Sequence, residues 1–511
     1  MVRTRTDMKL SVTSRSRLCV PRRLLGGRNL TNLSDSAFPK LLWLMAKAAP
    51  KAPENRFRET DACYRDLRLI GSDVLKKISS ESSKRPVTRR DFLRNTGIAT
   101  AGLRLGVLNG FGRGDSPNNK LNIGIIGAAN RAQANIAGVA GQNIVAVCDI
   151  DDNYLAAVAQ RFPQARAYHD FRELLEQRNI DAVVISTADH THAVATMAAL
   201  KAGKHVYCEK PLSHTVYEAR VVAQTAAKYG LATQMGTQIH AGNNYRRVVE
   251  LVRSGVIGPV SECHVWCEKS WSGGERPIEM PPVPPSLSWD LWLGPAPRRP
   301  YHPDYLPKNW RRWWDFGNGT LGDMGCHYLD LVHWALQLRH PLTIEAHGPP
   351  VHPETTPAWL VVQYEHGSRG ALPPVRVTWY DGGRRPALLD EGRIPNWKNG
   401  VLFIGEQGRL LADYEHHRLL PESQFSGFVP PPPCIPASVG HYHEWIQACK
   451  TGSPTTCNFD YAGALSEVVL LGNVAYRTGR KIEWDGDALR ARNCSEALNY
   501  VHREYRKGWA I

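Results

Sequence analysis

Three sets of residues in this sequence are of types and spacings that could do chemistry together. Lys210 lies in Glu209-Lys210-Pro211, directly after the strand-like run His205-Val206-Tyr207-Cys208, which would deliver its amine to the carboxyl edge of a parallel sheet. An amine in that position can exchange a proton with a reacting hydroxyl, and Lys210 reads as a catalytic lysine. Asp323 and His327 stand four residues apart, a spacing that on a helix stacks a carboxylate and an imidazole on one face about one turn apart. Asp330 and Trp334 fall on or near the same side. Gly127 opens a turn, and Asp149 follows it by 22 residues, close to the interval at which an acid holds the adenosine ribose of a dinucleotide.

These residues need particular elements to position them. Leu121 to Ile126 is an apolar strand that runs into the turn Gly127-Ala128-Ala129-Asn130-Arg131-Ala132 and then into a helix whose apolar residues continue through Ile136 and Val139. Ile144 to Cys148 is a second strand ending at Asp149. A carboxylate at 149 would repel a 2′-phosphate, and Ile150-Asp151-Asp152 supply no arginine to receive one, so NAD is favoured over NADP. In the G-x-G-x-x-G/A pattern Gly127 is present and Ala132 is an allowed third residue, but Ala129 replaces the second glycine. Its methyl stands where backbone would approach the pyrophosphate. Asp181 to Thr187 is a further buried-type strand, followed by Ala188-Asp189-His190-Thr191-His192. Polar side chains at that strand end can line a cofactor, and Asp189 or Thr191 could equally cap the helix that follows. Leu212 to Tyr229 reads as a helix and Ala232 to Gly236 as the next strand. Strands alternating with helices imply a parallel sheet, whereas the later runs Ala358 to Tyr364 and Gly400 to Ile404 suggest a mostly antiparallel one.

The chain has 511 residues, more than one core serves, and divides into an extension (1–83), a linker with a signal-like run (84–119), a nucleotide-binding domain (120–242) and a second domain (243–511). Its net charge of +15 lies wholly in residues 1–120, which carry 25 Lys+Arg against 10 Asp+Glu; the rest is balanced, which excludes a nucleic-acid-binding reading. Thr88-Arg89-Arg90-Asp91-Phe92-Leu93, ahead of the small-residue stretch Thr96 to Gly102, looks like a twin-arginine export signal, which predicts a periplasmic or exported protein. A basic linker in a cytoplasmic protein is the alternative. Residues 1–83, rich in Arg, Ser and Leu, read as a disordered arm or as sequence upstream of the true start. No apolar run of about 18 residues predicts a membrane span. The 11 cysteines show no repeated spacing; Cys263 and Cys267 alternate along a strand as buried thiols, so neither a metal nor a disulfide framework is expected.

On Ile125-Ile126-Gly127 with Asn130-Arg131, Ser186-Thr187-Ala188-Asp189-His190-Thr191-His192, Val206 to Pro211, and Gly322-Asp323-Met324-Gly325-Cys326-His327, residues 120 to 510 resemble the Gfo/Idh/MocA family of NAD(P)-dependent oxidoreductases. The resemblance is closest to secreted members that carry twin-arginine signals. It departs at Ala129 and Ala188, where members usually have glycine and proline. It implies an α/β fold: an N-terminal Rossmann doubly wound sheet, followed by an α+β domain with a large, mostly antiparallel open sheet whose free face makes a dimer or tetramer. It implies NAD held by Gly127, Ala129, Asn130, Arg131, Asp149, Thr187, Asp189, His192, Glu209 and Lys210, and a triad of Lys210, Asp323 and His327 at the reacting carbon. A lysine shielded from water beside a cationic nicotinamide should have a lowered pKa. Lys210 or His327 would take the hydroxyl proton, and Asp323 would orient the substrate or His327. The aromatics from Trp266 to Trp314, with Tyr301 and Tyr305, suit sugar C–H faces where they do not anchor the loop. Arg311, Arg312 and Asn318 could bind hydroxyls or a carboxylate, and His441 and His443 fit solvated or capping roles. The expected activity is therefore an NAD-dependent dehydrogenase acting on a sugar, sugar derivative or cyclitol. The alternatives are a glycoside-cleaving enzyme that oxidises its substrate transiently, and a cofactor-poor carbohydrate-binding protein.

Overall fold

The computed structural model describes residues 119–511; Arg89-Arg90 and the extension before them lie outside that range. The chain begins with β1 (Asn122–Ile126), α1 (Arg131–Val139), β2 (Asn143–Cys148), α2 (Asp152–Arg161), β3 (Arg166–Tyr168), α3 (Phe171–Glu176), β4 (Ala182–Ile185), α4 (Asp189–Lys201), β5 (His205–Cys208), α5 (Val216–Tyr229) and β6 (Thr233–Met235). All six strands pair in parallel in the order β3-β2-β1-β4-β5-β6. The order reverses between β1 and β4, so a crevice opens at their carboxyl ends, where a dinucleotide is bound in such sheets. Ile123, Ile125, Val184 and Tyr207 are almost fully buried, which explains why β1, β4 and β5 read as unbroken apolar runs.

Gly127 makes the turn at that crevice. Its φ of +86° is left-handed, and a Cβ there would lie 2.8 Å from the Ser186 carbonyl oxygen. Neither β1 nor β4 can yield, because Ser186 N–H is bonded to the Ile126 carbonyl at 2.8 Å. Gly127→Ala is therefore expected to destabilise the protein by about 2–4 kcal/mol, read as a lower urea midpoint; an unchanged midpoint would show that the turn can relax. Asp189 is the first residue of α4, and the capping position is Ala188, which makes no side-chain cap; capping by Asp189 or Thr191 does not occur. The Thr191 hydroxyl instead donates to Thr187 Oγ1 at 2.7 Å.

The second half contains α6 (Asn243–Arg253), β7 (Val260–Trp266), α7 (Gly319–Leu336), β8 (Thr343–His347), β9 (Val361–His366), β10 (Val375–Tyr380), β11 (Gly400–Gly405), β12 (Gly408–Ala412), β13 (His417–Leu420), α8 (His441–Thr451), α9 (Phe459–Thr478), β14 (Ile482–Asp485) and β15 (Arg490–Ala491). Their strands form one sheet in the order β13-β12-β11-β7-β10-β9-β8-β14-β15. It is antiparallel apart from the β7–β10 pair. Cys263, Val265 and Cys267 are buried along and just beyond β7, as free thiols. α7 lies against β7 and β11, so the second sheet is the bed that carries Asp323 and His327.

Two C-terminal helices return to the first sheet. Trp445 and Ile446 of α8 share an apolar cluster with β1 and α1, and α9 packs along α5, where Gly463 allows close approach to Ala219 and Ala223. Among the described residues no helix is long and apolar enough to cross a membrane.

Candidate active site

Two cavities meet at the carboxyl edge of the first sheet. A cleft of about 690 Å³ runs from Gly127 and Asp149 past Thr187 to Trp271 and Trp310, and a pocket of about 190 Å³ holds Lys210, Asp323 and His327. They share Arg131, Ser186, Thr187, Trp310, Arg311 and Asp323 as common wall.

The head of the cleft is built from the turn after β1. Asp149 accepts from Ala128 N–H at 2.7 Å and from Asp151 N–H at 3.0 Å, which ties the end of β2 to the Gly127 turn. Burial pushes its carboxyl pKa up, against the pull of those amides. Ala129 and Asn130 line the cleft, Asn130 in a left-handed conformation at φ 53°. The amides of Asn130 and Arg131 open α1 without an acceptor among the described residues, as the first amides of a helix must. Arg131 turns across the opening: its Nε donates to Glu209 at 3.1 Å and its Nη2 to the Tyr442 hydroxyl at 3.0 Å.

Glu209 is buried, and its hydrogen bonds converge on one oxygen. One carboxylate oxygen accepts from Arg131, from Asn135 Nδ2 at 3.0 Å and from Gln238 Nε2 at 2.9 Å, and a Cβ at Gly236 would lie 2.6 Å from the carboxyl carbon. It holds Arg131 in place through Oε1, and Glu209 itself lines the pocket that holds Lys210. His192 is likewise committed: its Nδ1 lies 2.7 Å from the Pro211 carbonyl and its Nε2 3.1 Å from that of Thr187. Burial lowers its pKa, and a neutral ring donates to one of those carbonyls while fastening the loop that carries Lys210 to the end of β4.

Lys210 and Asp323 meet across the two domains. Lys210 Nζ donates to Asp323 Oδ1 at 2.6 Å and to its backbone carbonyl at 2.5 Å, with both side chains more than nine-tenths buried. Asp323 also accepts from Arg311 Nε at 3.1 Å, Trp271 Nε1 at 2.7 Å and Lys269 Nζ at 3.4 Å. Burial pushes its carboxyl up, but the charges of Lys210, Arg311 and Lys269 outweigh that and hold it well below the usual carboxylate range. Four donors thus occupy Asp323, and it makes no hydrogen bond to His327; the expectation that it orients His327 is corrected on that ground. The lysine is shielded from water, as the sequence reading expects, and is held there by a salt bridge to Asp323.

His327 shares the pocket with no hydrogen-bond partner on either ring nitrogen among the described residues. Burial, reinforced by the Lys210 charge, holds its pKa well below the usual histidine value, so the ring is neutral with an open lone pair. Asp189 completes the pocket. Burial pushes its carboxyl up to about 7, against the pull of Arg311 and Lys210, and its nearest side-chain donor is Asn318 Nδ2 at 3.4 Å. Asp330, expected beside Asp323 and His327, turns away to bond His240 at 2.9 Å and the Tyr461 hydroxyl at 2.6 Å.

Several partnerships escaped the sequence reading. Trp271 and Lys269 reach Asp323 from a loop about fifty residues upstream, a distance that carries no periodic signal. Arg311, expected to meet substrate, spends its Nε on Asp323, and Asn318 is buried against Asp189. His441 is not solvated: it is buried, with Nε2 3.2 Å from the Tyr207 hydroxyl, because α8 docks on the first sheet. Most of the tryptophans are anchors: Trp292, Trp310, Trp313, Tyr305 and Phe316 form one apolar cluster, with Trp289 stacked on Trp292 at 4.7 Å. Trp271, Tyr301 and Trp310 do line the cleft.

Comparison with known proteins accords with this arrangement. The family model described as "Oxidoreductase family, NAD-binding Rossmann fold" matches residues 121–237, and that described as "Oxidoreductase family, C-terminal alpha/beta domain" matches residues 242–373. Inositol 2-dehydrogenase of Salmonella typhimurium is 33% identical over 139 residues, 27% of this chain and 41% of the relative, so the match spans less than half of that relative's length. Myo-inositol 2-dehydrogenase of Thermotoga maritima is 30% identical over 272 residues, 53% of this chain and 67% of the relative. The solved structure of the WlbA dehydrogenase from Bordetella pertussis, in complex with NADH and UDP-GlcNAcA, has the same fold (TM-score 0.52, 17% identity, 72% of this chain and 99% of that one). So does that of GenD2 from gentamicin A biosynthesis in complex with NAD (TM-score 0.52, 19% identity, 73% and 99%).

Proposed function

Because this chain belongs to the Gfo/Idh/MocA family of oxidoreductases, we propose that it is an NAD-dependent dehydrogenase acting on a secondary hydroxyl of a sugar, sugar derivative or cyclitol. The observation that carries the proposal is the meeting of Lys210, Asp323 and His327 in one pocket that opens on the cleft headed by Gly127. The residues present fit the cofactor. The Gly127 turn excludes any side chain, the free amides of Asn130 and Arg131 suit a pyrophosphate, and Asp149 stands at the end of β2 where a ribose would lie. Bound NAD would supply the acceptor for the hydrogen that leaves the carbinol carbon.

The chain's own groups do the rest. The neutral His327 lines the pocket and accepts the hydroxyl proton, since no donor among the described residues competes for its lone pair. Lys210, fixed by Asp323, places a positive charge beside the oxygen on which negative charge develops. Trp271 and Trp310 give flat apolar walls to the side of the cleft next to Asp323, as a sugar ring needs. Export through a twin-arginine route and self-association through the free face of the second sheet belong to the same reading and rest on sequence alone.

The test is calorimetric titration of the full chain with NAD and NADP, followed by a screen of polyols and glycosides for NADH formation. NAD is expected to bind at least about tenfold tighter than NADP, and Asp149→Ala to weaken NAD while leaving substrate affinity unchanged. Failure of either cofactor to bind would move the assignment to a carbohydrate-binding protein; glycoside cleavage without net NADH would move it to transient oxidation.

A further inference from the structure

A third cavity, of about 280 Å³, lies at the start of α7, lined there by Asn318 and Asn473. Arg477, on the last turn of α9, lies in it as a plate between two rings, its guanidinium 4.8 Å from the centre of Trp314 and 4.2 Å from that of Tyr500. Stacking of this kind fixes the plane of the fork and leaves its edge free. Among the described residues that edge has no hydrogen bond and no carboxylate partner; Asp315, the nearest acid, is committed to Arg299, and Glu504 is on the exposed rim.

Other polar groups in the same cavity are also left over. Asn473, 5% exposed, spends Nδ2 on the Asn318 carbonyl at 3.0 Å, and its Oδ1 is buried without a donor. Arg503 donates Nε to Glu218 at 2.8 Å and Nη2 to the His190 carbonyl at 2.6 Å, forms an ion pair with Glu218, and its Nη1 is buried without an acceptor. Burial and the Arg503 charge hold His214 neutral at the same wall. Buried polar atoms without partners are costly, and the two residues that carry these, Asn473 and Arg503, both line the cavity.

We propose that this cavity is a second binding site, for a small hydroxylated carboxylate. A planar fork with unused donors matches a carboxylate in two-point fashion, the free Oδ1 of Asn473 calls for a hydroxyl donor, and Arg503 Nη1 supplies one further donor. The charge count favours a monoanion: Arg503 is already neutralised by Glu218, and Arg477, which feels Asp315 only through space, is the one lining arginine among the described residues without a salt bridge. The site is independent of the cofactor cleft, and its ligand would touch Asn473, whose amide holds the residue that opens the catalytic helix.

Titration of the full chain with D-gluconate tests this, with D-glucose 6-phosphate as the dianionic comparison. D-gluconate is expected to bind at a site that Arg477→Met weakens by at least about tenfold, with NAD affinity and thermal midpoint unchanged. Asn473→Asp, which sets a negative charge in the same wall, should weaken it similarly. If Arg477→Met does not fold, Arg477→Lys decides, because it keeps the charge and loses the fork; it should also weaken the acid. Binding that is absent in the unmodified chain, unaltered in the variants, or tighter for the phosphate ester overturns the proposal. Failure to bind NAD would bear on the dehydrogenase reading and leave this titration as it is.

Discussion

Lys210→Ala is expected to lower turnover by about 10²- to 10⁴-fold, the range in which a positioned proton-transfer or charge-stabilising group contributes, while the protein remains folded. The second half of that expectation follows from the crowding around Asp323. Breaking a buried ion pair usually costs several kcal/mol because one charge is left unpaired. Here the carboxylate would keep Arg311 at 3.1 Å, Trp271 at 2.7 Å and Lys269 at 3.4 Å. The loss should therefore fall on chemistry rather than on folding. Steady-state rates with the polyol that reduces NAD fastest, set beside urea midpoints, separate the two; turnover near that of the unmodified chain would remove Lys210 from the reaction.

His327→Asn should cost a comparable factor for a different reason, the loss of the open lone pair that takes the hydroxyl proton. Its pH signature is specific. Burial and the Lys210 charge lower the pKa of His327, so the neutral form persists as pH falls through the ordinary histidine range. kcat/KM for alcohol oxidation should hold to well below pH 6.5, and His327→Asn should abolish that acidic limb along with the rate. An inflection that survives in the variant near pH 7 is the one expected of Asp189, whose carboxyl burial pushes up to about 7. A variant with undiminished kcat would mean that the proton leaves by another group.

What the sequence disclosed and what it concealed divide along a physical line. Gly127, Asp149 and Lys210 were legible because each is placed by a single strand and the turn or loop that follows it, so local pattern is enough to find them. The Asp323–His327 spacing was legible for the same reason, as one turn of one helix. Their partners were not. Trp271 and Arg311 come from loops whose conformation is set by packing among tryptophans, and a loop that wraps an aromatic cluster has no period to read. His192 and Glu209 were recognised as polar residues at the right edge, but their engagement with backbone carbonyls and with Arg131 depends on how two strand ends face each other. The salt bridge between Lys210 and Asp323 joins a strand end of one domain to a helix of the other, a pairing that no local pattern in the sequence displays.

The return of α9 to α5 carries a consequence for how the polypeptide matures. Ala219, Val222 and Ala226 of α5 are buried, Leu212 N–H donates to Ser466 at 3.2 Å, and Arg220 pairs with Glu467 at 2.7 Å. The nucleotide-binding half, whose last strand ends at Met235, is thus completed by residues that leave the ribosome more than two hundred positions later. During synthesis its outer helix waits with a bare apolar flank, and the first domain begun is among the last to be finished.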